Sequence, residues 1–291
     1  MSYPLGRIVN HDARSLAYAW TAPAGTTLVS KRWPRHIPVL SQGQVGSCTG
    51  NAMVGALGTT PVFETLPAGT SLDENEALTI YSAAEKIDGG IGYPPEDQGS
   101  SGLSVAKAAK TAGLISGYQH LFNVGDVLAH VSNEGPVLIG ISWFDSFFNP
   151  SPDGEITIAP GATVAGGHEI VIDEIDVNTD PNNVRIWITN SWGYSWGVQG
   201  RAWMTANLLA QLLSQQGDAT IVVPLSKPAP TPQPIPTPTP PTPTPTPSPT
   251  PITDAALWST VSAWALAHHY NPSCRHVANE LVAWATSNGL H

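Results

Sequence analysis

The sequence predicts an α+β fold with two facing parts, a helical first half and a strand-rich second half, joined by a spacer to a small helical module. Three observations carry this. Up to about residue 112 the apolar pattern is mainly helical. From Pro136 onward the runs become short, apolar and β-branched, as in Pro136-Val137-Leu138-Ile139-Gly140-Ile141. From 227 to about 252 the chain is mostly Pro and Thr. Helices followed by strands make an α+β arrangement, and a cleft between two such parts is a natural place for a site. The predicted boundaries are a catalytic-sized domain over 1–226 (with a lead-in over 1–36), a linker over 227–252 and a module over 253–291.

The elements follow in order. Residues 1–36 are mixed and interrupted by Ala and Pro, and read as a surface lead-in. The segment 52–57 is apolar on nearly every side, which predicts a helix buried in a core. Ser71 with Glu74 three positions on is a capping-box pattern that opens a second helix, running through Tyr81 to about Lys86. A loop rich in Gly and Pro leads to a third helix over 103–112, stopped by Gly113. Strands are predicted over 136–143, 167–175, 184–190, 200–204 and 219–223, with a helix over 206–213. The Pro/Thr tract cannot bury a core and lacks an amide hydrogen at every proline, so it reads as extended polyproline II. About 25 residues at ~3.1 Å each would span on the order of 75 Å. In the module, Leu257, Val261, Trp264 and His268, then Val277, Leu281, Trp284 and Asn288, follow helical spacing. Two short helices are small for independent stability, which predicts a docking or dimerisation partner for them.

Composition narrows the function. Only 12% of the 291 residues are charged and the formal net charge is −10. Ahead of the Pro-rich tract stand 20 acidic and 10 basic side chains. Nucleic acid and anionic membranes select for clustered Lys and Arg, so neither is expected as a partner. Cys48 and Cys274 lie on opposite sides of the spacer and supply no disulfide framework. No signal-peptide pattern opens the chain and no run approaches a membrane span, which predicts a soluble protein, with the cytoplasm or a virion both compatible. His268, His269, Cys274 and His276 match no zinc spacing, so no metal and no cofactor are expected. Acidic residues of the first domain read as a solvated face.

The chemistry centres on Cys48, which follows Gly46-Ser47 at the entrance to the first helix. A thiol at a helix N-terminus sees the positive end of the backbone dipole, which favours thiolate. Gln42, six positions earlier, carries an amide able to donate to an oxyanion beside the sulfur. His168 opens a strand 120 positions after Cys48. Asn190-Ser191-Trp192-Gly193 begins 22 positions later as another strand ends, and antiparallel neighbours would bring His168 and Asn190 together. Thiol catalysis needs a sulfur nucleophile, an imidazole that takes its proton and a group that holds the other ring nitrogen. Trp192 is placed to cover that last hydrogen bond, and Trp196 reads as a core aromatic.

These residues resemble the papain-like cysteine peptidases, over roughly residues 30–225. The resemblance implies a helical half and a β-barrel-like half around a cleft, with Cys48 as nucleophile, His168 as general base then acid, Asn190 as the orienting residue, and Gln42 with the Cys48 amide as oxyanion hole. It also implies a peptide or protein substrate, held by Trp192 and by a Gly-rich strip for which Gly102 is the candidate. Thr49 replaces the aromatic residue usual after the nucleophile, and Val45 a half-cystine found in many secreted members. Only 47 residues precede Cys48, so a long inhibitory prosegment is absent, as in the short bacterial and phage proteins of this type, and latency is expected from compartment, partner or access. Two alternatives stay open: a hydrolase of peptidoglycan cross-links, and a non-catalytic papain-fold binding protein of a phage particle.

Overall fold

Ten consecutive buried residues, Cys48–Leu57, form α1. Small residues let it sit that deep: a Cβ on Gly50 would run into the Ala77 carbonyl oxygen, and one on Gly55 would lie 3.2 Å from Val171. Helix α2 (Glu74–Ile87) packs on it through Ala77, Ile80, Tyr81, Ala84 and Glu85, which share one face at three- and four-residue steps. Its cap differs from the expected box. Asp73, not Ser71, accepts from the Asn75 and Glu76 amides, and Glu74 instead accepts from the Ser41 amide. Helix α3 (Gly102–Thr111) is capped by Ser101 and ends before Gly113, whose φ of 74° reverses the chain.

The computed structural model describes residues 3–177, 184–227 and 232–233, all within the compact unit Met1–Ile235. The Pro/Thr tract beyond Lys227, apart from Pro232 and Gln233, and the 253–291 module lie outside the described residues. Among the described residues, no helix is long and apolar enough to cross a membrane.

The strands are β1 (Lys31–Arg32), β2 (Gly117–His120), β3 (Val137–Phe144), β4 (Val164–Asp176), β5 (Arg185–Thr189), β6 (Arg201–Thr205) and β7 (Asp218–Val223). They form one antiparallel sheet in the order β2-β7-β3-β4-β5-β6, with β1 paired to one end of β4. The sheet is open, not a closed barrel, because β2 and β6 end its path. Helix α4 (Val124–Asn133), β1 and β2 were not expected from the sequence, whereas α5 (Ala206–Ser214) was. Alternation along the strands feeds two cores. Leu138, Val171 and Val222 face α1, α2 and α3. Ile139, Ile170, Ile172 and Ile221 face the other way, towards Val127 and Val131 of α4 and Leu209 and Leu212 of α5. Both faces are therefore covered, and the middle of β3 is buried without a break.

Candidate active site

Helix α1 begins at Cys48, and β4 passes alongside it carrying His168 and Glu169. The turn before Cys48 is held from outside. Asp97 accepts from the Gly46 amide at 2.9 Å and from the Tyr81 hydroxyl, and that hydroxyl accepts from the Gly99 amide. As the first helical residue, Cys48 has an N–H with no acceptor inside the helix.

The β4–β5 pairing brings the histidine and asparagine together: His168 Nε2 lies 2.8 Å from Asn190 Oδ1. The Ser191 amide also donates to Oδ1, at 2.7 Å, which fixes that atom as the acceptor. Nε2 therefore carries the proton of the neutral ring, and Nδ1 keeps its lone pair. That Nδ1 is buried and has no hydrogen-bond partner, so it is the ring's basic atom. Trp192 stacks on the imidazole, 4.6 Å between centroids, and Trp143 meets it edge-on at 4.8 Å. Trp196 packs against both indoles as a core residue.

Gln42 is set by the same Asn-Ser-Trp-Gly segment. Its backbone N–H donates to the Ser191 carbonyl at 2.9 Å, and its Oε1 accepts from Ser191 Oγ at 2.7 Å. That leaves Nε2 as the donor facing the cleft, where it reaches Val45 O at 2.9 Å and Pro4 O at 3.4 Å. Gly102 opens α3 with Asp218 and Glu169 against it, and the strip it belongs to continues back through Ser100 and Gly99.

The lead-in is not a surface segment throughout. Residues 3–8 form a strap along the cleft. Tyr3 stacks on Trp192 at 4.4 Å, the Ser100 amide donates to Gly6 O, and the Ile8 amide donates to Ser100 O. The Arg7 amide donates to Gly167 O at 3.1 Å. The strap runs parallel to the strip, with Arg7 bridged to Ser100. To the sulfur it offers the Gly6 N–H.

The strap changes the electrostatics expected for Cys48. Both it and His168 are fully buried. Burial pushes the thiol up to about 12, although the amides of Glu169, Gly6 and Thr49 pull it down. Burial lowers His168 to about 4, with Asn190 opposing. Desolvation outweighs the helix dipole, and with the strap in place both groups are neutral, no hydrogen bond joining Nδ1 to the sulfur.

Acidic residues of this part are not all a solvated face. Glu85, Glu169 and Asp173 are buried. Glu85 accepts from the Gln98 amide and Asp173 from Arg201, whereas Glu169 lies beside the sulfur under the strap. The only signals for Glu169 were its place after His168 and before the apolar run Ile170-Val171-Ile172.

No family model matches the chain, and no curated protein does. Among solved structures it is similar to xylellain, a cysteine protease from Xylella fastidiosa, with TM-score 0.61 and 20% identity over 76% of this chain and 96% of that one. It is also similar to digestive procathepsin L 3 of the Tenebrio molitor larval midgut, with TM-score 0.51 and 15% identity over 72% of this chain and 77% of that one. Helices against one antiparallel sheet, superposing on these proteins, make the architecture of the chain the α+β papain-like fold.

Proposed function

We propose that the chain is a papain-like thiol peptidase of the short type found in bacteria and phages, which hydrolyses peptide bonds through Cys48, His168 and Asn190. The observation that supports it best is the hydrogen bond from His168 Nε2 to Asn190 Oδ1, which leaves Nδ1 as the basic atom on the strand that lies against Cys48. With the strap displaced and water admitted, Nδ1 takes the thiol proton and the thiolate attacks a substrate carbonyl carbon. Gln42 Nε2 and the Cys48 amide donate to the oxyanion. His168 returns the proton to the leaving amine, an acyl thioester remains, and water activated by His168 releases the acid and restores the thiol. Trp192 keeps water from the His168–Asn190 bond. The 227–252 tract tethers this domain to the 253–291 module, which docks it.

The test is to incubate the full chain with unfolded protein and, separately, with purified cell walls. Cleavage of the protein is expected. Solubilised walls with intact protein would instead identify a peptidoglycan hydrolase, and no turnover of either, with Cys48 unreactive, a binding protein.

A further inference from the structure

Beneath the strap, Gly102 and Gly140 leave a chamber beside Glu169 and Asp218, and Gly167 makes room for the Arg7 backbone. The side chain of Arg7 enters the chamber and is only 1% exposed. Its Nη2 donates to Gln216 O at 2.7 Å and to Asp218 Oδ2. A Cβ on Gly140 would lie 2.6 Å from Arg7 Nε and Glu169 Oε2, and 2.7 Å from Asp218 Oδ2. One on Gly102 would lie 2.7 Å from Asp218 Oδ1 and 2.8 Å from Glu169 Oε1. Two carboxyl groups and a guanidinium thus converge where the glycines make room.

The carboxyl groups are not satisfied by the domain itself. Glu169 is fully buried, and both its oxygens and Asp218 Oδ1 lack a hydrogen-bond partner. Their cation comes from the strap, the segment lying where a substrate would lie. Burial, then the Asp218 charge, raise Glu169 well above the usual carboxylate range, while Arg7 opposes. Two carboxyl groups with three unpartnered oxygens face this one guanidinium, so the chamber suits a single cationic side chain. Glu169 is fully buried and Asp218 is 20% exposed, and carboxyl oxygens left unpartnered away from water are costly, so release of the strap leaves a vacancy that favours a replacement. Asp218, the Gln216 carbonyl and Glu169 are acceptors spread around the cation, which suits the flat five-donor fork of arginine better than the point charge of lysine.

We propose that this chamber is a specificity pocket for an arginine side chain of a peptide substrate, and that Arg7 occupies it in the resting chain as an internal stand-in. The proposal rests on the peptidase reading and adds its substrate class. An extended peptide laid on Ser100 and Gly167 presents one side chain to the same opening. Asp218 carries the charge that selects it.

The experiment uses the full chain and fluorogenic peptides alike except for arginine, lysine, citrulline or leucine at each of the two positions before the cleaved bond. Citrulline keeps the shape of arginine without its charge. At one position the arginyl peptide is expected to exceed the citrullinyl one by about 10-fold or more in kcat/KM, the scale of a charge-assisted hydrogen bond. Asp218→Asn is expected to bring that ratio close to one. The wild-type series needs no variant, so misfolding of Asp218→Asn would leave it decisive. Equal cleavage of arginyl and leucyl peptides overturns the pocket and leaves the peptidase reading. If no peptide is cleaved, binding of the same labelled peptides to Arg7→Ala decides. Tighter binding of the arginyl peptide than the citrullinyl one keeps the pocket and overturns only the peptidase reading, whereas equal or absent binding overturns both.

Discussion

Replacing Cys48 with alanine is expected to cut peptide hydrolysis by on the order of 1,000-fold or more, the usual scale for loss of a nucleophile acting in concert with its base. The fold is expected to survive. Cys48 sits at the start of α1, and the exchange removes one sulfur without adding volume. The helix is held by Met53, Val54 and Leu57 in the core below. Because the residues act as a unit, Cys48→Ala combined with His168→Ala is expected to lose little more than either alone. Rates measured with a melting curve for each variant check this. A Cys48→Ala chain that melts normally and retains most of its rate would mean another group performs the reaction.

Replacing Gly6 with alanine is expected to open the site. A Cβ at this position would overlap the Gly46 carbonyl oxygen, and Gly46 is itself tied to Asp97. The strap cannot keep its path, and the bonds at Gly6, Arg7 and Ile8 are lost together. Three backbone hydrogen bonds at about 1 kcal/mol each correspond to a roughly 100-fold increase in the open population. Iodoacetamide labelling of Cys48 is expected to accelerate by about that factor. The closed chain loses the same free energy relative to the unfolded one, so the melting temperature is expected to fall by several degrees, at roughly 2–4 °C per kcal/mol, while the transition stays cooperative. Labelling at the wild-type rate would mean that the strap does not control access to the sulfur.

The helices and strands that were legible in the sequence carry strong local patterns, such as 136–143 and 184–190. Helix α4 escaped notice because Val124-Gly125 is a poor helix start, and its Asn123 cap lies in a stretch without a long apolar run. Asp73 displaced Ser71 as the cap because both residue types suit that role and only the chain path decides between them. Positions 42, 48, 168 and 190 were readable because each sits in a short motif of its own. The strap was not, since Tyr3-Pro4-Leu5-Gly6-Arg7-Ile8 has no periodicity and its partners, Ser100, Gly167 and Trp192, are far along the chain. Glu169 was hidden for a related reason. A glutamate in a strand suggests a watery face, but both faces of this sheet are covered, and the space beside Glu169 is filled by an arginine from the other end of the domain.

The most direct test of Cys48 and His168 acting as a pair is the pH profile of Cys48 labelling in the Gly6→Ala chain, read by mass spectrometry. In the wild type, burial holds the thiol near 12 and His168 near 4, so labelling should stay slow until the solution is strongly alkaline. Once water reaches the pair, a thiolate beside an imidazolium should keep Cys48 reactive well below the ordinary thiol range, and His168→Ala should abolish that acidic limb. A Gly6→Ala profile that follows one ordinary thiol titration, unchanged by His168→Ala, would contradict the pairing.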